Sequence, residues 1–182
     1  SFLYEPFSIP SGSMYPNLKV GDYLFVSKFS YGFSKHSLPF SIPIIPGRLF
    51  SKEPERGEIV VFKTPEDNRT DYIKRVVGLP GDFLEMKENI LIINNKEISV
   101  TKKNVEKCKS FNVSKIIETL PNKLTYEVYE FEKALEGLNT NNFNKIKIPT
   151  DHFFVLGDNR DNSQDSRFIG LIPRENLVGR AE

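Results

Sequence analysis

A chain of 182 residues is long enough for one domain of good size, or for a core with a sizeable insertion, and its interior needs no covalent staple. Twenty-five Lys and Arg nearly balance 24 Asp and Glu, so nothing in the charge points to nucleic acid or another polyanion as a partner. Fifteen Phe and seven Tyr without a Trp, with twelve Pro and eleven Gly, suit strands joined by turns, and the single Cys108 allows no internal disulfide. No apolar run approaches the roughly 20 residues of a membrane span, and no secretory signal pattern is present. The abrupt apolar start "SFLYEPF" leads us to expect a further segment upstream.

In chain order, "IPSGSMYPNL" (9–18) is a Pro/Gly turn that holds two serines. "DYLFVSKF" (22–29) is an aromatic and β-branched run between turn signals and reads as a strand. Residues 32–57, rich in Pro, Ser and Gly, read as a loop excursion packed on the surface. "EIVVFK" (58–63) has the continuous apolar pattern of a strand buried on both faces. In "YIKRVVG" (72–78) the period of two puts Tyr72, Lys74 and Val76 on one face and Ile73, Arg75 and Val77 on the other. "LPGD" (79–82) ends that strand, and "NILIINNKEISV" (89–100) predicts a hairpin turning on Asn94-Asn95.

Residues 102–123, with six Lys against two Glu, read as a solvated basic face. "LTYEVYEFEK" (124–133) alternates like an edge strand, and the Asn-rich "LEGLNTNNFNK" after it reads as a loop. "HFFVL" (152–156) is a buried strand feeding the polar loop 157–167, where scaffolds tend to place sites. The expected organisation is a β core from 1–82 and 149–182, with a more polar β segment, 83–148, inserted between.

Several chemistries fall away. HExxH, CxxC, the phosphate-binding GxxxxGK[ST] and the GxSxG elbow are all absent. "SVTK" (99–102) matches SxxK but has no companion motif. "DNRDNSQDSR" lacks the Gly and Glu of a calcium loop in either register, so no metal is expected. His36 lies in the 32–57 excursion and His152 opens a strand, which leaves a His-based triad without a setting. A serine nucleophile then needs another base, and Lys74, between apolar neighbours, is the candidate. A lysine is a base only when neutral; bringing its pKa from about 10.4 toward 7 takes roughly 3 to 4 kcal/mol, which burial can supply. The pattern is equally met by a lysine that snorkels from an edge strand.

"PSGSMYP", "GDYLFVSKFSYG", "RGEIVVFK", "DYIKRVVGLPGD" and "GDNRDNSQDSR", in that order, resemble the conserved segments of bacterial type I signal peptidases. The resemblance covers both ends of the chain and is silent over 83–148. It implies a serine endopeptidase with a Ser/Lys dyad on an antiparallel β core with a smaller inserted β-rich domain. It implies Ser13 as nucleophile, Lys74 as general base, Ser11 with the Ser13 N–H as oxyanion donors, and Ser163 as the hydroxyl that orients the lysine. Arg75 with Asp158, and Asp165 with Arg167, match supporting ion pairs. Phe7, Ile9, Tyr72 and Ile73 match positions lining shallow pockets for the short residues of A-x-A-like sites.

The same resemblance implies no cofactor and no metal, secretory preproteins and a membrane lipid surface as partners, no nucleic acid, and a monomer. It places the catalytic part on the outer face of the cytoplasmic membrane, behind an anchor. Asn17 stands where a Thr is common, and Cys108 cannot form the disulfide some relatives carry in the inserted region. Two competing readings are a Ser/Lys protease of the self-cleaving repressor or organelle inner-membrane type, and an idle β-barrel binding module.

Overall fold

The computed structural model describes residues 4–28, 31, 52–108, 111–131 and 141–182. Fourteen strands among them are β1 (Tyr4–Ser8), β2 (Tyr23–Ser27), β3 (Ile59–Lys63), β4 (Asp71–Gly78), β5 (Phe83–Lys87), β6 (Ile90–Ile93), β7 (Lys96–Glu97), β8 (Ser99–Cys108), β9 (Phe111–Thr119), β10 (Thr125–Phe131), β11 (Phe143–Lys147), β12 (His152–Leu156), β13 (Ile172–Pro173) and β14 (Leu177–Ala181). The fold is mainly antiparallel β. Seven strands form one sheet in the order β1-β2-β14-β3-β4-β12-β13, while β10-β9-β8 and β11-β5-β6-β7 form two smaller sheets. No helix among the described residues is long and apolar enough to cross a membrane.

β3 and β4 run through the middle of the large sheet because both of their faces are apolar. Val60 and Phe62 of β3, with Tyr72 and Val76 of β4, pack into one cluster with Phe153, Val155 and Leu177. On the opposite face, Val61 and Ile73 join Ile9, Met14, Leu24 and Val26. Val77, farther along β4, enters a third cluster that combines Phe154 and Leu156 of β12 with Leu84, Met86, Leu91 and Ile93 of the four-stranded sheet. The inserted strands therefore share apolar interior with the large sheet.

Asn94 and Asn95 both take left-handed φ angles, 53° and 63°, which close the two-residue turn between β6 and β7. Two expectations need correction. Residues 102–123 are not simply a solvated face: β8 and β9 pair over their length, and Val113, Glu118 and Leu120 are buried while Lys102, Lys103 and Lys107 stay exposed. The residues expected as an Asn-rich loop end in β11, where Phe143 and Ile146 pack on the third cluster and override the Asn signal. β10 lies at a sheet edge, as expected, and the 157–167 segment engages its backbone through Tyr129 N–H to Asp158 O, 2.9 Å. The 32–57 excursion falls outside the described residues up to 51, and so does His36.

Candidate active site

Residues 12–14 form a single 3-10 turn. Burial holds it in place: Ile9 before it is 1% and Met14 at its end 0% exposed, and both sit in the cluster that contains Ile73. The turn presents Ser13 to β4, where Lys74 Nζ lies 2.8 Å from Ser13 Oγ and donates to the Ile73 carbonyl at 2.9 Å. Both side chains are buried, at 5% and 3% exposure. The Lys74 amine also lies 5.2 Å from the centroid of the Tyr72 ring. Burial pulls the Lys74 pKa down to about 8, against the opposing charges of Asp165 and Asp158. Ser11 Oγ stands 3.3 Å from Ser13 Oγ.

Loop 157–167 closes the other side. Its Asp158 binds Arg75 in bidentate fashion, at 2.8 and 2.7 Å, and Arg75 Nη1 reaches the Gly57 carbonyl. Asn17 Nδ2 adds a donor to Asp158 Oδ2 (2.7 Å) and to the Glu127 carbonyl (2.8 Å), so the residue that departs from the common Thr ties the nucleophile segment to the charge pair. Asp165 and Arg167 form a second bidentate pair, both bonds 2.8 Å, and Asp165 Oδ2 also accepts the Gly157 N–H. Asp165 caps the short helix α1 (Ser166–Ile169) by accepting the Arg167 N–H.

Between these walls lies a cavity of about 600 Å3 lined by Pro10, Ser11, Ser13, residues 70–74, residues 160–164 and Phe168. Tyr72 and Ile73 are thus on its wall, but Phe7 and Ile9 are not: they are drawn into the apolar cluster with Ile73 and support the wall instead of lining it. Ser163 lines the cavity and is 8% exposed, yet its Oγ makes no hydrogen bond among the described residues. The expected bond from Ser163 to Lys74 is therefore not formed; the Ile73 carbonyl takes that place on the amine.

Two features escaped sequence reasoning. Arg160 donates to Glu118 of β9 at 2.7 and 2.6 Å, each side chain 1–2% exposed, and Tyr126 of β10 donates to the same carboxylate at 2.5 Å. The one available signal was the period of two on β9, which puts Glu118 on the face of Ile116 and Leu120. Asn159 is the second: its N–H donates to Ser13 O at 2.9 Å and its Nδ2 to Gly12 O at 3.0 Å. His152 Nδ1 lies 2.9 Å from the Thr150 carbonyl at the far edge of the large sheet, and Ser99 and Lys102 are exposed on β8. No cluster of three or more His, Cys, Asp or Glu suited to a metal ion occurs among the described residues.

An antiparallel β scaffold with a serine hydroxyl held against a buried lysine amine defines a class of serine peptidase. Residues 1–182 match the model of one such family, described as signal peptidase, peptidase S26, and the chain belongs to that family. It is similar to signal peptidase I of Rickettsia typhi, 40% identical over 187 residues that cover 99% of this chain and 71% of that protein. Signal peptidase I of Rickettsia massiliae is 41% identical over 188 residues, covering 99% and 70%. A crystal structure of a signal peptidase I from Enterococcus faecalis is 28% identical, covers 71% of this chain and 97% of that one, and superposes with a TM-score of 0.44. The chain is a serine peptidase of a family whose work is signal-peptide removal.

Proposed function

We propose that this peptidase cleaves signal peptides from secretory preproteins after A-x-A-like sites, with Ser13 as nucleophile and Lys74 as general base. The observation that carries the reading is the 2.8 Å contact between Ser13 Oγ and Lys74 Nζ, both buried at one cavity. The neutral amine takes the Ser13 hydroxyl proton as Oγ bonds to the scissile carbonyl carbon. The carbonyl oxygen becomes an oxyanion, received by the Ser13 N–H and Ser11 Oγ. Collapse breaks the C–N bond while the Lys74 ammonium returns its proton to the leaving amine, which leaves an acyl ester on Ser13. Neutral Lys74 then deprotonates a water that attacks the ester, and its proton goes back to Ser13 Oγ as the acid departs. No step calls on a metal or cofactor.

Residues 71–74 of β4 pair with β3 on one edge, while pairing with β12 on the other begins only at Arg75. That unpaired edge borders the cavity, and an extended substrate segment adds there as a strand, its short side chains against Tyr72 and Ile73. The ladder register puts Tyr4, Pro6, Tyr23 and Phe25 on one face of β1 and β2, and Tyr23 and Phe25 are 79% and 59% exposed. We assign this aromatic face to contact with the lipid headgroup region on the outer side of the cytoplasmic membrane.

The test is cleavage of an A-x-A preprotein peptide in detergent. Ser13→Ala and Lys74→Ala should each lower kcat by about 10³-fold or more with unchanged circular dichroism. Activity retained by Lys74→Ala removes the dyad.

A further inference from the structure

Ser13 N–H and Gly12 C=O are opposite ends of one planar peptide unit, so whatever sets the carbonyl direction also sets the N–H direction. Gly12 O accepts two hydrogen bonds, from Asn159 Nδ2 at 3.0 Å and from the Tyr15 N–H at 3.1 Å. The next peptide plane is held by the same residue, because Ser13 O accepts the Asn159 N–H at 2.9 Å. Both planes that flank the Ser13 α-carbon are thus fixed by Asn159, one through its side chain and one through its backbone. Among the described residues nothing accepts the Ser13 N–H.

We infer that Asn159 is a positioning residue for the oxyanion site: its side-chain amide, by donating to Gly12 O, aims and polarises the Ser13 N–H for the transition state. The inference rests on the assignment of Ser13 as nucleophile. Two physical effects act together. A hydrogen bond to a peptide oxygen draws charge through the amide and strengthens its N–H as a donor, cooperatively. It also removes the need for the plane to reorient as charge develops, which is the condition for electrostatic stabilisation of an oxyanion.

Asn159 can be changed without dismantling the loop. Its neighbours are held independently: Asp158 by Arg75 and Asn17, and Arg160 by Glu118, the Gly157 carbonyl accepting from Arg160 Nε. The backbone bond from Asn159 to Ser13 O survives any substitution except proline. Asn159 is itself half-buried and carries no charge.

The experiment compares Asn159→Ala and the isosteric Asn159→Asp with the unmodified chain. Cleavage of an A-x-A peptide should show kcat lowered by about 10- to 100-fold with KM within about twofold, less than the loss of a direct oxyanion donor. Two probes separate positioning from bulk structure: an A-x-A peptide ending in an aldehyde, which Ser13 converts to a tetrahedral adduct, and the same peptide ending in an alcohol. Affinity for the aldehyde should fall in step with kcat while affinity for the alcohol holds. A kcat within about twofold of the parent in both variants overturns the inference, as do equal losses for aldehyde and alcohol. Ser13→Ala is run beside them: cleavage retained there defeats the nucleophile assignment, whereas an inactive Ser13→Ala with unaffected Asn159 variants defeats only the role of Asn159.

Discussion

Burying the Lys74 amine costs the folded state stability and, in the proposed reaction, supplies the base. With a pKa of about 8, roughly one amine in ten is neutral at pH 7, against fewer than one in a thousand for an exposed lysine. Cleavage should therefore rise about tenfold per pH unit below 8 and level off above it, and the pH profile of kcat/KM measures this. A limb centred near 6.5 would point to histidine. The stability consequence has a definite sign. The folded pKa lies below the unfolded value, so between about pH 8 and 10.5 the unfolded chain binds more protons and stability rises with pH; below 8 the whole penalty is present. That penalty is about 3 kcal/mol at 1.36 kcal/mol per pKa unit. Lys74→Met, which keeps the volume, should be more stable than the parent by up to about 3 kcal/mol in urea unfolding at pH 7, and the gain should vanish by pH 10.5.

At the scale of elements, three short pieces converge: the 12–14 turn, the start of β4, and loop 157–167. Gly157 lies where the loop packs on the turn. A Cβ there would stand 2.1 Å from Ser163 Oγ and 2.7 Å from the Ser13 carbonyl oxygen. The Ser163 hydroxyl can rotate, but its Cβ, 2.5 Å away, and the backbone of the proposed nucleophile cannot turn aside. Gly157→Ala should therefore lower kcat by about 100-fold or more while costing about 1 to 3 kcal/mol of stability, as overpacking does. Parallel peptide kinetics and thermal unfolding check both; wild-type kcat would show that the turn can yield.

The elements that converge were largely legible. β3 and β12 are continuous apolar runs of the kind a covered strand carries, β4 shows the period of two that sets its faces, and the Asn94-Asn95 turn is written in its residue types. What escaped was the partner of each polar group. Ser163 sits at the cavity without the expected bond, Asn159 looks like any loop amide, and the lysines of β8 concealed the alternation that buries Glu118 on its neighbour β9. Side-chain hydrogen bonds across more than a hundred residues leave no periodic trace, whereas burial does.

Across the whole molecule, a buried ion pair is among the links that join the inserted strands to the site. Arg160 belongs to the loop that borders Ser13 and Lys74; Glu118 belongs to β9, and Tyr126 of β10 adds a third member. The Tyr126 ring also lies 4.2 Å from the guanidinium of Arg75, which extends the cluster to the Asp158 pair and back to β4. Truncating one partner leaves the other charged and dry, at a cost of about 3 to 5 kcal/mol, while replacing both with apolar residues of similar size removes two desolvation penalties together. Glu118→Ala should thus lower stability by about that amount, and Glu118→Leu combined with Arg160→Met should recover most of it in urea unfolding. Recovery of fold and of activity need not coincide. Arg160 Nε also holds the Gly157 carbonyl, a bond the double variant lacks, so kcat should remain below the parent even where stability is restored. If the double variant is as unstable as Glu118→Ala, the coupling between inserted strands and site does not run through this ion pair but through the shared apolar cluster of Val77, Leu84 and Phe154.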